Sequence, residues 1–437
     1  MALEALVRVE QGAFANLLLP ELLRRSALSR RDRAFATELV YGTLRRQRAL
    51  DFLLAGCLDR RLGALDAEVR AGLRLGAHQL VAGVPAHAAV GETVTAVARR
   101  RPRSRPLVNA VLRATARLGP PWPWPEGDDV ASVAIRTSHP DWMVERLVAA
   151  VGLDAATATL EADNASAAVT LRPHRGRSTP EALAAELVAS GATVEPGRLV
   201  PGALVVRGTG DPARLPAVAE GRATPQDEGS QAVVEVLDPR PGERVLEVAA
   251  APGGKATAIG ERVGPGGLVV AVDVHPGRTR LVGAAATRLG LPAVVPVVAD
   301  GRALPLAGWF DRVLLDAPCT GLGVLRRRPE ARWRVGPEDP ARLAALQQAL
   351  VAEAAGALSA GGTLVYSVCT WTDEETRGVD RWAAEALPYL VPADPPGPPW
   401  RPWGRGALLL PGDTGTDGMF VLALRRPPAA GDGRGTG

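Results

Sequence analysis

Lysine is nearly missing from this chain of 437 residues: Lys255 is a lysine, and the other 50 of its 51 basic residues are arginines. GC-rich coding accounts for arginine wherever a cation only has to face water. A lysine kept in such a chain marks a place where a compact ammonium is needed rather than a planar guanidinium. Cysteine is scarce too, with only Cys57, Cys319 and Cys369. Three cysteines cannot build a disulfide framework, which points to a reducing compartment and makes free thiols worth following. No CxxC spacing exists and the histidines at 78, 87, 139, 174 and 275 are scattered, so no metal site is expected. No apolar run approaches the ~20 residues of a membrane span. The opening MALEALVRVEQGAFANLLLP lacks a basic stretch leading into an apolar core with a cleavage site, which argues against a secretory signal. With 46% apolar and 22% charged residues, the chain reads as a soluble, cytoplasmic protein of two or three domains.

Charge is unevenly spread. Residues 1–120 hold 20 arginines against 10 acids, a net of +10, and the remainder carries −6. A basic third on a near-neutral remainder suggests electrostatic capture of a polyanion. Any one cluster, such as Arg45-Arg46-Arg48 or Arg99-Arg100-Arg101, is by itself also explained as a solvated face.

Periodicity divides the chain. Residues 1–118 read as helices: Val69, Leu73, Gly76 and Leu80 share one face, as do Val108, Val111 and Leu112. Ser29 with Asp32 is a capping signal, and Pro85 closes another segment. The stretch GPPWPWPEGDD (119–129) breaks all periodicity and marks a seam. Residues 131–230 mix helices at 140–151 and 180–190 with strands at 169–171 and 203–206, a small α+β segment. From about 233, apolar strands at 245–248, 268–272, 294–298, 313–315 and 363–367 alternate with helical stretches. Such alternation implies a parallel sheet with crossover helices, and continuous hydrophobicity implies strands covered on both faces. The expected layout is a helical domain over 1–120, a linker and α+β segment over 121–232, an α/β domain over 233–426 and a disordered tail over 427–437.

The chemistry gathers at the strand ends of the α/β domain. The first strand runs into Ala250-Ala251-Pro252-Gly253-Gly254-Lys255 and then a helix. Glycines at such a turn admit a ligand close to the backbone, and a helix N-terminus favours a negative group. A phosphate loop would need Ser or Thr after the lysine, and Ala256 stands there. A nucleotide-like ligand ending in a carboxylate, such as S-adenosylmethionine, fits better. Asp273 ends the second strand, where an acid commonly takes ribose hydroxyls, and Asp300 ends the third, beside the expected adenine position.

The fourth strand ends in Asp316-Ala317-Pro318-Cys319-Thr320-Gly321, and the fifth in Tyr366-Ser367-Val368-Cys369-Thr370. Two cysteines thus stand where open α/β sheets place their sites. A thiolate beside a methyl donor suggests pyrimidine C5 chemistry. A cysteine adding at C6 makes C5 enamine-like and able to take a methyl group. A second cysteine would assist release, and Asp316 would bond N3 and steady the developing charge. The residues leave open which cysteine attacks.

The motifs AAPGGK, DAPCTG and YSVCT followed by Asp373-Glu374-Glu375 resemble the bacterial 16S rRNA (cytosine-5) methyltransferases of the Sun/Fmu (RsmB) family, over about residues 5–426. Pro225 to Gln231 resembles that family's lead-in to its catalytic domain. Asn109 to Arg113 and the helical third resemble its NusB-like RNA-binding domain, and Ser138-His139-Pro140 with Trp142 resembles the start of its middle segment. The resemblance implies an all-α NusB-like domain, a small α+β segment and a Rossmann-like methyltransferase domain in a monomer that binds ribosomal RNA. It implies Cys369 as nucleophile, Cys319 in product release, and the 250–255 loop, Asp273, Asp300 and Asp316 around S-adenosylmethionine. Glu247, Ala249 and Ala256 depart from the Asp, Cys and Thr usual in the first motif, and Thr376 from an Asn after the paired glutamates. Two other functions compete: a tRNA cytosine-5 methyltransferase, and a non-catalytic RNA-binding ribosome assembly factor. Retention of both cysteines and the glycine loop weighs against the second.

Overall fold

In the computed structural model, residues 1–428 are described, and by their contacts they form two units. The first comprises Met1–Ser166 together with the short segment Leu325–Gly336. Its helices are α1 (Ala2–Glu10), α2 (Ala15–Arg24), α3 (Arg30–Arg45), α4 (Gln47–Ala55), α5 (Ala67–Val81), α6 (Ala86–Ala98), α7 (Arg105–Leu118), α8 (Val130–Thr137), α9 (Asp141–Val151) and α10 (Leu153–Ala162). Ser29 caps α3 by accepting from the Asp32 amide, and Pro85 is the residue before α6. Helix α5 is central, packing on α1, α3, α4, α6 and α7. Two glycines make that possible: a Cβ on Gly72 would strike Val97, and one on Gly76 would strike Leu112.

The 119–129 stretch is irregular as expected, but the unit does not end there. Helix α8 packs against α4, and the Arg48 amide donates to Ser138 Oγ at 2.8 Å. The segment 325–336 brings Arg332 into this unit, fully buried. Its guanidinium donates to the carbonyls of Arg45 and Ser138 and to Asn164 Oδ1, each at 3.0 Å. Burial pulls it down to about 10, against the attraction of Asp163.

The second unit, Ala167–Val324 with Pro337–Gly437, is described as far as residue 428. It begins with β1 (Val169–Pro173), α11 (Pro180–Ala189), β2 (Thr193–Pro196), β3 (Leu204–Arg207), α12 (Pro216–Ala219) and β4 (Ala223–Pro225). These strands form an antiparallel sheet in the order β2-β3-β1-β4. Then come α13 (Glu228–Leu237), β5 (Arg244–Val248), α14 (Gly254–Val263), β6 (Leu268–Asp273), α15 (Pro276–Leu289), β7 (Val294–Val298), β8 (Phe310–Asp316), α16 (Asp339–Ala357) and β9 (Leu358–Val368). Last are α17 (Arg377–Ala386), β10 (Val391–Pro392), β11 (Arg401–Trp403), β12 (Gly406–Leu409), α18 (Pro411–Thr414) and β13 (Met419–Arg425).

The large sheet runs β11-β12-β13-β9-β8-β5-β6-β7, with β10 added on β13. The stretch β7-β6-β5-β8-β9 is parallel, as the sequence implied. Strands β10 to β13 are antiparallel additions that the sequence reading did not find, so the sheet is mixed. Strand order reverses between β6-β7 on one side of β5 and β8-β9 on the other, which opens a crevice beyond the C-terminal ends of β5 and β8. Full coverage fails at the edge strand β7, where Val295 and Val298 are exposed. Asp300 lies two residues past the end of β7 instead of ending it. Short segments missed by periodicity are α8, α10, α13, β2 and β4. Residues 427 and 428 lack regular structure, and the rest of the expected tail lies outside the described residues.

Candidate active site

The turn after β5 is built for close approach. Ala249 takes φ +61°, Gly253 takes φ +104°, and Gly254 opens α14. A Cβ on Gly253 would come within 3.0 Å of the Val282 Cα, so glycine is required twice over, by dihedral and by space. Lys255, in the first turn of α14, is nearly buried, and its Nζ lies 2.7 Å from Asp316 Oδ2 at the end of β8. Burial alone would lower the ammonium. Asp316, Glu247 and Cys369 outweigh it, and the net shift is upward.

Asp273 is buried and faces the loop: its Oδ2 accepts from the Ala251 amide at 3.3 Å and its Oδ1 from the His275 amide at 3.0 Å. Arg278 completes this corner by donating to the Ala251 carbonyl at 2.9 Å. Asp300 is instead clasped by Arg302, whose hydrogen bonds bring its carboxyl down to about 2.

The two cysteines meet. Cys319 Sγ and Cys369 Sγ are 3.3 Å apart, each partly exposed. The Cys319 thiol is pushed well above its ordinary value, first by its hydrogen bond with Cys369, then by burial, and further by the charges of Cys369, Glu375 and Asp316. Such a shift favours the protonated thiol. Cys369 lies close enough to Lys255 to act on its ammonium.

These features have counterparts in known proteins. Residues 234–425 match the family described as 16S rRNA methyltransferase RsmB/F, residues 1–117 the NusB family, and residues 139–211 an RsmF/B-like ferredoxin-like domain. The chain is 39% identical to ribosomal RNA small subunit methyltransferase B of Thermus thermophilus, over 98% of this chain and 97% of the other. The protein of the same name from Salmonella paratyphi B is 35% identical over 95% of both chains. The chain belongs to the 16S rRNA methyltransferase RsmB/F family. The crystal structure of PH0851 superposes with a TM-score of 0.83 at 25% identity, covering 97% of each chain. A member of this family is an RNA methyltransferase with S-adenosylmethionine as methyl donor.

The residues present fit that donor. Glu247, on β5, is buried and its Oε2 has no hydrogen-bond partner. Burial drives its carboxyl well above the usual range, with Lys255 opposing and Asp316 adding to the rise. An orphaned carboxylate oxygen costs free energy unless a donor reaches it, and the ammonium of an amino-acid moiety is such a donor. The methionine carboxylate would face the start of α14.

Sequence reasoning missed the layer beneath the cysteines. Glu375 is fully buried; its Oε1 accepts from the Thr320 amide at 2.9 Å and Gln347 Nε2 at 3.0 Å. Its Oε2 accepts from the hydroxyls of Thr320 at 2.5 Å and Thr372 at 2.8 Å. Burial raises its carboxyl, and these bonds pull the other way. Gln347 also donates to the Pro318 carbonyl at 2.9 Å, and the buried Tyr366 hydroxyl lies 2.9 Å from Gln347 Oε1. The paired glutamates were visible as a motif, but nothing in the helical run around Gln347 marks that residue as special. Among the described residues there is no cluster of three or more metal-ligating side chains. No described helix is long and apolar enough to cross a membrane.

Proposed function

We propose that the protein methylates C5 of a cytosine in 16S ribosomal RNA, with Cys369 as nucleophile and Cys319 as the residue that releases product. The carrying observation is the 3.3 Å between the sulfurs beside the Lys255–Asp316 pair. The Cys369 thiolate, with Lys255 to balance its charge, adds to C6, and the electron pair of the C5–C6 bond moves toward C5. S-adenosylmethionine, when bound, supplies an electrophilic methyl group on a cationic sulfur. Asp316, at the end of β8, hydrogen-bonds the N3 edge of the ring, where charge develops. As the C6–S bond breaks, the Cys319 thiol gives its proton to the departing Cys369 sulfur, and the Cys319 sulfur takes the proton leaving C5. Both sulfurs end protonated, and loss of one proton to water restores the starting state.

In this reading the loop Ala250 to Lys255, Asp273 and Asp300 hold the donor, and the basic helices of residues 1–120 hold RNA. One chain carries all of these parts, which supports a monomer working in the cytoplasm, where its RNA is made. The test is methylation of 16S rRNA by the purified protein, with 5-methylcytosine located by bisulfite sequencing. Methyl transfer to a base other than cytosine, or to a position other than C5, would sink the proposal.

A further inference from the structure

We infer that Glu375 is a positioning residue for product release: its carboxylate clamps the loop that carries Cys319 and holds that thiol against Cys369. The inference rests on the proposed roles of the two cysteines. All four hydrogen bonds to Glu375 come from donors: the Thr320 amide, the Gln347 amide and the hydroxyls of Thr320 and Thr372. Two amide donors and two hydroxyls placed to donate suit a carboxylate.

The clamp grips both flanks of Cys319. On one side Thr320 is held through amide and hydroxyl by Glu375 itself; on the other the Pro318 carbonyl is held by Gln347, which Glu375 orients. The same carboxylate holds Thr372, three residues beyond Cys369, and Thr370 Oγ1 lies 2.9 Å from Thr320 Oγ1. The Gly323 amide reaches the Cys369 carbonyl at 2.9 Å. The two cysteine loops are therefore tied to one buried anion, and the distance between the sulfurs is set by it.

The charge has a second effect. The groups acting on Cys319 are Cys369, Glu375 and Asp316, with Lys255 bonded to Asp316 and Tyr366 packed beneath. Glu375 and Asp316 both disfavour an anion on Cys319, whereas Lys255 stands by Cys369. Cys319 is thereby favoured as the protonated sulfur, the form that can return a proton to the leaving Cys369.

The test is Glu375→Gln in the full chain, isosteric but uncharged, with Thr372→Val as a milder variant that removes one donor and keeps the charge. With the alkaline limb of the turnover–pH profile reporting Cys319, that limb should move down by roughly one pH unit in Glu375→Gln. Turnover should fall roughly ten- to a hundredfold, as displaced reacting groups typically cost. A covalent protein–RNA species should build up on denaturing gels, while S-adenosylmethionine affinity stays unchanged. Thr372→Val should show a smaller build-up and an unmoved limb. If Glu375→Gln is folded and binds the donor but leaves both limbs in place and builds up no adduct, the clamp has no part in release and the inference falls. If instead the acidic limb moves and the variant is faster at low pH, Cys319 is the attacking thiolate. That result overturns the proposed order of the cysteines, and the release role with it.

Discussion

Lys255 Nζ lies 2.7 Å from Asp316 Oδ2, so the single lysine of the chain joins the loop after β5 to the loop after β8. One bond couples the turn proposed to hold the donor to the cysteine-bearing turn. Both partners are poorly exposed, and removing one leaves the other unpaired in a site of low polarity. Lys255→Met should therefore weaken S-adenosylmethionine binding and cut turnover together. Lys255→Arg should not restore either, because a planar fork cannot replace a point charge here. Isothermal titration with the donor checks this; wild-type affinity in Lys255→Arg would refute it.

Cys369→Ala is expected to abolish methylation and still bind the donor, since the hydrogen bond of its sulfur goes to Cys319 and not to the 250–255 loop. Cys319→Ala should accumulate a covalent RNA adduct under turnover, because addition proceeds and elimination stalls. A denaturing gel reads this directly. Normal turnover in Cys369→Ala with none in Cys319→Ala would reverse the two roles.

The helical unit should lose stability in acid through His78. Burial lowers its imidazole to about 4, from an ordinary value of 6.5, and its Nε2 has no partner. A folded value below the unfolded one means that the unfolded chain binds the proton more readily. Stability is thus full above pH 6.5 and declines as pH falls toward 4, by at most roughly 3 kcal/mol. His78→Asn should flatten this decline in urea melts followed between pH 7 and 4.5; an unchanged decline would clear His78 of any part.

Arg332 should be as important to the same unit. Replacing it with Leu removes the donors to two backbone carbonyls and Asn164. A loss of about 3 kcal/mol is expected, since each buried acceptor left without its donor costs roughly 1–3 kcal/mol. A melting temperature within a degree of wild type would contradict it.

RNA affinity is best probed by point substitution, because a cut near Val130 would separate α8 from its packing on α4. Arg99 at the end of α6, Arg103 between the two helices and Arg105 at the start of α7 are exposed. Changing all three to Gln should weaken RNA binding, and each lost phosphate contact should lower the log–log salt slope by roughly 0.7–0.9. Unchanged affinity and slope would make these arginines a solvated face only.

Sequence alone determined the local and chemical parts of this protein. Residue spacing marked the helices of the first third, the five parallel strands and the Ser29 cap, because these depend on neighbours three, four or two places away. Composition alone isolated Lys255, and strand-end position alone selected Cys319 and Cys369. Tertiary structure decided what depends on residues far apart in the chain. The antiparallel strands β10 to β12 are short and lack a distinctive period; β13 forms because β9 offers an edge to pair with, and the others build on it. The helical unit extends past residue 129 because Arg332, nearly two hundred residues away from Ser138 along the chain, supplies hydrogen bonds that only folding can bring together. Glu375 and Gln347 became recognisable only once folding had buried them together with Tyr366 and tied them to the cysteine loops. A carboxylate out of water must be satisfied by whatever the fold brings to it, and no window of sequence shows what that will be.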